Sequence, residues 1–88
     1  MATVWIPHLV QALTDGTAVI ESPGDTIQEV MENLENTYPG VTARLFRDRR
    51  RLQPGIAMSV DGIVNNEGQT LPIDVNSEIH FLPAITGG

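Results

Sequence analysis

The sequence predicts an α+β domain in which one main helix covers one face of a sheet of about five strands, with a short second helix beside it. Three observations lead there. A capped, one-sided apolar pattern runs from Thr26 to Tyr38. Short segments with period-two alternation lie on both sides of it. Their order along the chain is strand, strand, helix, strand, short strand, strand. One amphipathic helix needs one apolar sheet face to cover it, which leaves the opposite face of the sheet open. Eighty-eight residues are enough for one such core and too few for two.

Thr3-Val4-Trp5-Ile6 is the first strand. Pro7 ends it, and His8 to Thr14 is a connection of mixed character before the turn signal Asp15-Gly16. Thr17 to Glu21 is the second strand, making a hairpin with a long connection. Thr26-Ile27-Gln28-Glu29 then matches a capping box, with the Thr26 hydroxyl accepting from the Glu29 amide and the Glu29 carboxylate reaching back. Asp25 and Glu29 also suit the positive end of the helix dipole. Ile27, Val30, Met31, Leu34 and Tyr38 fall on one stripe, and Pro39-Gly40 stops the helix. Val41 to Phe46 forms the short second helix, with Leu45 and Phe46 plugging the core edge. Arg47 to Arg51 is a polar loop. Ile56 to Val60 alternates, Asp61-Gly62 turns the chain into Ile63-Val64, and Glu78 to Leu82 is the last strand.

Composition narrows the function. No apolar run approaches the ~20 residues of a membrane helix, and no signal peptide is visible at the N-terminus, so a cytoplasmic home is expected. Without cysteine there is no disulfide, thiolate nucleophile or Cys-based metal site. The formal charge of −6 disfavours nucleic acid as a partner and suggests steering towards basic clefts on other proteins. All five basic side chains are arginines: Arg44, Arg47, Arg49, Arg50 and Arg51. Such a run is most often a solvated loop. With no lysine, no side chain of this chain can accept an isopeptide bond from another copy. His8 and His80 lack carboxylates at ligand-like spacing, so neither is expected to bind metal or act as a general base. No Ser-His-Asp pattern or phosphate loop stands out, and no catalytic residue is assigned.

The end of the chain carries the chemistry. Leu82-Pro83-Ala84-Ile85-Thr86 leads into a terminal Gly87-Gly88. A diglycine adds nothing to a core and weakens any strand that contains it. Taken alone it says little, because chain ends are often small and unordered. Immediately preceding the α-carboxylate, it makes a thin arm suited to a narrow active site on another protein. The expected division is a domain over 1–83 and a flexible diglycine tail over 84–88.

The Gly24-Asp25-Thr26 helix start, the Glu35-Asn36-Thr37-Tyr38-Pro39-Gly40 exit, the Ile56-Ala57-Met58-Ser59-Val60-Asp61-Gly62 hairpin and the Leu82–Gly88 tail together resemble the ubiquitin-like sulfur carriers of the MoaD/ThiS type. The resemblance covers essentially the whole chain and implies a β-grasp fold with a mixed sheet. It implies no resident cofactor. A ubiquitin-activating-type adenylyltransferase/sulfurtransferase would use ATP and a sulfur donor to convert the Gly88 carboxylate into a thiocarboxylate for a downstream sulfur-acceptor enzyme. Gly87, Thr86, Ile85 and Pro83 would thread the tail. The longer Pro7–Gly16 connection is similar to the subgroup whose members serve cysteine or secondary-metabolite pathways, as well as molybdopterin synthesis and archaeal protein modification. Ile85-Thr86 looks more like molybdopterin carriers, in which the chain would be the small subunit of a synthase. A protein modifier conjugated through Gly88 and an inert ubiquitin-like interaction domain are the alternative readings. Alternation further puts Trp5, His80 and Leu82 on the open sheet face, beside the tail, as the expected docking patch, with Ala57 and Ser59 also outward.

Overall fold

The computed structural model describes residues 1–65 and 68–83. Its five strands are β1 (Ala2–Trp5), β2 (Val19–Ser22), β3 (Ile56–Val60), β4 (Ile63–Asn65) and β5 (Glu78–Pro83), and they form one sheet in the order β2-β1-β5-β3-β4. The β1–β5 pair is parallel and every other pair antiparallel, so the sheet is mixed as expected. Helix α1 (Ile27–Thr37) covers one face, and α2 (Val41–Leu45) follows it.

Helix α1 starts and stops for local reasons. The Glu29 N–H donates to Thr26 Oγ1 at 3.2 Å, while Glu29 Oε1 accepts from the Asp25 N–H at 2.7 Å. The reach-back therefore lands one residue earlier than in a standard capping box. Thr26 itself is drawn into an isolated bridge with Pro72, because Ile27 N–H donates to Leu71 O and Ile73 N–H to Asp25 O. From this start, Ile27, Val30, Met31 and Leu34 are buried against Val4, Met58 and Ile79 of the sheet. Val41, Leu45 and Phe46 close the edge, with Phe46 edge-on to Phe81 at 5.7 Å between ring centroids. Full burial of such side chains contributes roughly 1.5–3 kcal/mol each, which is what holds helix to sheet.

Glu35 explains the helix exit. Its carboxylate accepts from the Gly40 N–H at 2.6 Å and the Thr42 N–H at 3.0 Å, tying the end of α1 to the start of α2. The Gly40 N–H foremost, with Thr42 adding to it and outweighing partial burial, holds this carboxyl below its ordinary value. A depressed folded-state value means that the contribution is present at neutral pH and lost as pH falls through the folded value. Glu35→Gln should therefore cost about 1 kcal/mol at pH 7, a figure reduced by the group's partial exposure. The gap to wild type should close in urea denaturation as acid protonates this carboxylate in the folded protein. A gap that stays constant with pH would show that the carboxylate charge is not the stabilising feature.

Several local expectations shift. The observed first two strands lie at Ala2–Trp5 and Val19–Ser22 rather than Thr3–Ile6 and Thr17–Glu21. The pairing Ile6 N–H to Ala18 O falls outside the ladder and lets the chain leave the sheet early. The connection at His8–Thr14 is a 3-10 helix that buries Val10 and Thr14, the Thr14 hydroxyl donating to Thr17 O at 2.8 Å. A second 3-10 turn occupies Gly68–Thr70. The last strand, expected to end at Leu82, includes Pro83 as its final residue, opposite Ile56. Ahead of β5, Ser77 Oγ donates to Asp61 Oδ2 at 3.0 Å and accepts from the Asp74 N–H at 2.9 Å.

Candidate functional site

The face of the sheet away from α1 is open, and strand register fixes what it displays. Val19, Trp5, His80, Ser59 and Val64 are successive partners across β2, β1, β5, β3 and β4, forming one row. Two residues closer to the chain end, Leu82 pairs with Ala57. Two residues the other way, Glu21, Thr3 and Glu78 make a third row, and Asp61 joins it by donating its N–H to Glu78 O. The face is thus apolar and aromatic towards the tail and acidic away from it.

Trp5, His80 and Leu82 do share this face, as alternation predicts. The Trp5 and His80 rings stack at 4.9 Å with an 11° tilt, so each fixes the other's orientation. Trp5 is 39% exposed and Leu82 40% exposed, large values for side chains of that kind in a small domain. Ser59 is the exception among the outward residues, since it is buried. Its short side chain lies between two larger row neighbours, His80 and Val64, which cover it.

The base of the tail is built from the middle of the sheet. Strand β5 pairs with β1 as far as His80 and with β3 as far as Pro83, so Pro83 is delivered at a position set by the β3 ladder. Beside it lies an apolar groove of about 380 Å³, lined by Pro7, by Leu9 and Val10 from the first 3-10 helix and by Ile56, Phe81 and Pro83 from the sheet. Leu9 is 89% exposed at its rim. The sequence reading missed this groove because it left His8–Thr14 unassigned. The available signal was the Leu9-Val10-x-x-Leu13 spacing, which repeats at helical intervals. Gly88, Gly87, Thr86 and Ile85 lie outside the described residues.

The two histidines are separated, His80 on the open face and His8 in the groove wall. Among the described residues no group of three His, Cys, Asp or Glu could hold a metal ion, and no helix is long and apolar enough to cross a membrane. The five arginines are all exposed, Arg44 on α2 and the other four on the 47–51 loop.

A model of the ThiS family matches residues 4–88. The sulfur carrier protein CysO of Mycobacterium tuberculosis is 31% identical over 98% of this chain and 97% of its own length. Two solved structures have the same fold along essentially the whole chain. One is the BexX/CysO complex of Amycolatopsis orientalis, with TM-score 0.85 and 27% identity, covering 100% of each chain. The other is CysO of M. tuberculosis, with TM-score 0.86 and 26% identity, covering 97% of this chain and 100% of that one. The fold is therefore the β-grasp arrangement that the family resemblance implied.

Proposed function

The chain belongs to the ThiS family, and from that premise we propose that its Gly88 carboxylate is adenylated by a ubiquitin-activating-type partner and then converted to a thiocarboxylate that donates sulfur. The protein is a carrier rather than a catalyst, like its CysO relatives. The observation that carries the proposal is the position of β5. A central strand, laddered to β1 as far as His80 and to β3 as far as Pro83, fixes the base of a tail whose last two residues have no side chains to obstruct an active-site channel. Five residues beyond Pro83 reach at most about 17 Å. A partner must therefore approach this pole of the domain closely to touch the carboxylate.

The chemistry balances without any group from this domain. An α-carboxylate ionises with a pKa of about 3.3–3.7 and is an anion at neutral pH. One of its oxygens attacks the α-phosphorus of ATP, and pyrophosphate leaves. A sulfur nucleophile supplied by a donor then adds to the acyl carbon, and AMP departs with the oxygen it gained. Carbon–sulfur has replaced carbon–oxygen, with no change in the chain's oxidation state. In this reading ATP and the sulfur donor belong to the partner's reaction.

Trp5, His80 and Leu82 are the docking patch in this reading, since His80 and Leu82 lie on the strand that carries the tail and Trp5 on the strand beside it. The matched CysO relatives favour an acceptor in the cysteine or secondary-metabolite class over molybdopterin synthesis. Intact-mass measurement after incubation with ATP, a sulfide source and the activating enzyme should show a gain of about 16 Da, the difference between sulfur and oxygen. An unchanged mass would sink the proposal. Leu82→Ala in the same assay should raise KM, and an unaltered KM would remove Leu82 from the docking surface.

A further inference from the structure

We propose that the arginine loop at 47–51 is a second recognition element, which docks against an acidic protein surface rimming the cleft that receives the tail; this rests on the carrier reading above. The starting point is charge segregation. All five cationic side chains fall between residues 44 and 51, whereas of the eleven acidic residues only Asp48 does. The fold then puts that cluster at the tail's end of the sheet. The loop spans the bridged pair Phe46 and Leu52; Phe46 packs on Phe81, two residues before Pro83, and Leu52 shares a surface hollow with Ile56, the partner of Pro83. Glu21, Glu78 and Asp61 occupy the other end of the open face. A net charge of −6 suggests steering towards basic clefts, but the field at the pole that must enter the partner is set by nearby arginines. Screening over about 10 Å at ordinary salt removes most of the influence of the distant acids.

The loop is held in shape rather than left to fluctuate as a generic solvated run. Asp48 Oδ1 accepts from the Arg50 and Arg51 N–H groups, each at 2.9 Å, and its Oδ2 pairs with the Arg51 guanidinium at 2.8 Å. The Gln69 N–H donates to Arg49 O at 2.8 Å, and Gly68 packs so tightly that an added Cβ would lie 2.6 Å from the Arg50 carbonyl carbon. With Arg51 engaged by Asp48, the side chains of Arg47, Arg49 and Arg50 project from a fixed backbone. Guanidinium groups so displayed suit bidentate pairing with carboxylates. An acidic protein is favoured over nucleic acid because whatever takes the tail must be a protein, and its rim meets this pole. Asp48 at the centre of the loop would also oppose a continuous phosphate track.

Two measurements on the full chain test this. Titration with a sixteen-residue polyglutamate peptide, followed by amide NMR in low salt, should shift the signals of residues 44–56 and leave Glu21 and Glu78 in place. Shifts spread evenly, or none, would overturn the proposal, as would tighter binding of a single-stranded RNA of equal length at the same residues. In the activation assay, Arg47→Glu with Arg50→Glu should lower kcat/KM at least tenfold through KM at 50 mM NaCl, with kcat unchanged. The difference should shrink towards 0.5 M NaCl. Replacing Arg47, Arg49 and Arg50 by lysine should retain most of the rate. Equal loss in the lysine and glutamate variants, or a deficit indifferent to salt, would overturn the charge-based reading. Absence of activation in wild type would count against the carrier chemistry alone, because the peptide titration reads the loop without it.

Discussion

Replacing Gly24 by alanine is expected to lower the melting temperature by roughly 15 °C, from a loss of about 3 kcal/mol in a domain of this size. Two effects add. Gly24 has φ +154°, where a side chain is strained, and its added Cβ would stand 2.7 Å from Val30 N, with Glu29 Cβ and Val30 Cγ2 both at 2.9 Å. These atoms cannot retreat easily. The start of α1 is tied down by Ser22 Oγ donating to Val30 O at 2.9 Å and Asn33 Nδ2 donating to Pro23 O at 2.9 Å. Val30 is also fully buried. Overpacking of this kind costs about 1–3 kcal/mol, and a disfavoured backbone region about 1–2 more. Gly62, with φ +85° but no neighbour within 4 Å, isolates the backbone component. Thermal melts followed by circular dichroism should show Gly24→Ala far below Gly62→Ala. Equal melting temperatures would mean that the helix start yields to the methyl group without cost.

The parts of this fold that were legible in the sequence are those in which one residue's chemistry decides the outcome. Thr26 and Glu29 announce the helix start, and the Ile27–Leu34 stripe its buried face. The alternation at Val4, Met58 and Ile79 sets which sheet face is covered. Once the register is fixed by burial, the outward face containing Trp5, His80 and Leu82 follows, because a one-residue slip would turn the core outward. What stayed hidden depends on long-range pairing. The 3-10 helix at His8–Thr14 has weak local signals and exists because Val10 is buried while Ile6 is still paired to Ala18. The exit motif from Glu35 to Gly40 could be quoted from the sequence. That its carboxylate serves the next helix required geometry. The groove beside Pro83 combines both kinds of information, since one wall is sheet and the other is that unassigned connection.

The arginine cluster shows the same division in its electrostatics. Composition gives a net charge and suggests one kind of partner, yet net charge is a sum over the whole surface. Phe46 on Phe81 and Ile56 opposite Pro83 place the cations near the tail, and the outer-face register places Glu21 and Glu78 away from it. A docking partner meets one pole at a time. The local sign, which only the topology supplies, decides the fit.

Tail length should prove the most sensitive single variable in the protein. Removing Gly88 leaves a carboxylate on Gly87, chemically identical but drawn back by about 3.3–3.6 Å, one residue's reach. Because β5 is fixed by β1 as far as His80 and by β3 as far as Pro83, the domain cannot slide forward to compensate without breaking ladder hydrogen bonds or the proposed docking contacts around Leu82. A misplacement of about 1 Å can already cost 10²-fold in a reaction that depends on near-attack geometry. Deletion of Gly88 should therefore reduce thiocarboxylate formation by at least about 10²-fold, with the fold and melting temperature unchanged. Adding one alanine after Gly88 tests the same dependence from the other side, since it pushes the reactive carboxylate too far and puts a methyl group where the channel must be narrow. Both variants should still compete with wild type for the partner, because the docking face is intact. Two outcomes would contradict this account. Full activity of the extended chain would mean that the reach and width of the tail end do not govern the reaction, and failure of either variant to compete would mean that the tail, rather than the sheet face, supplies the affinity.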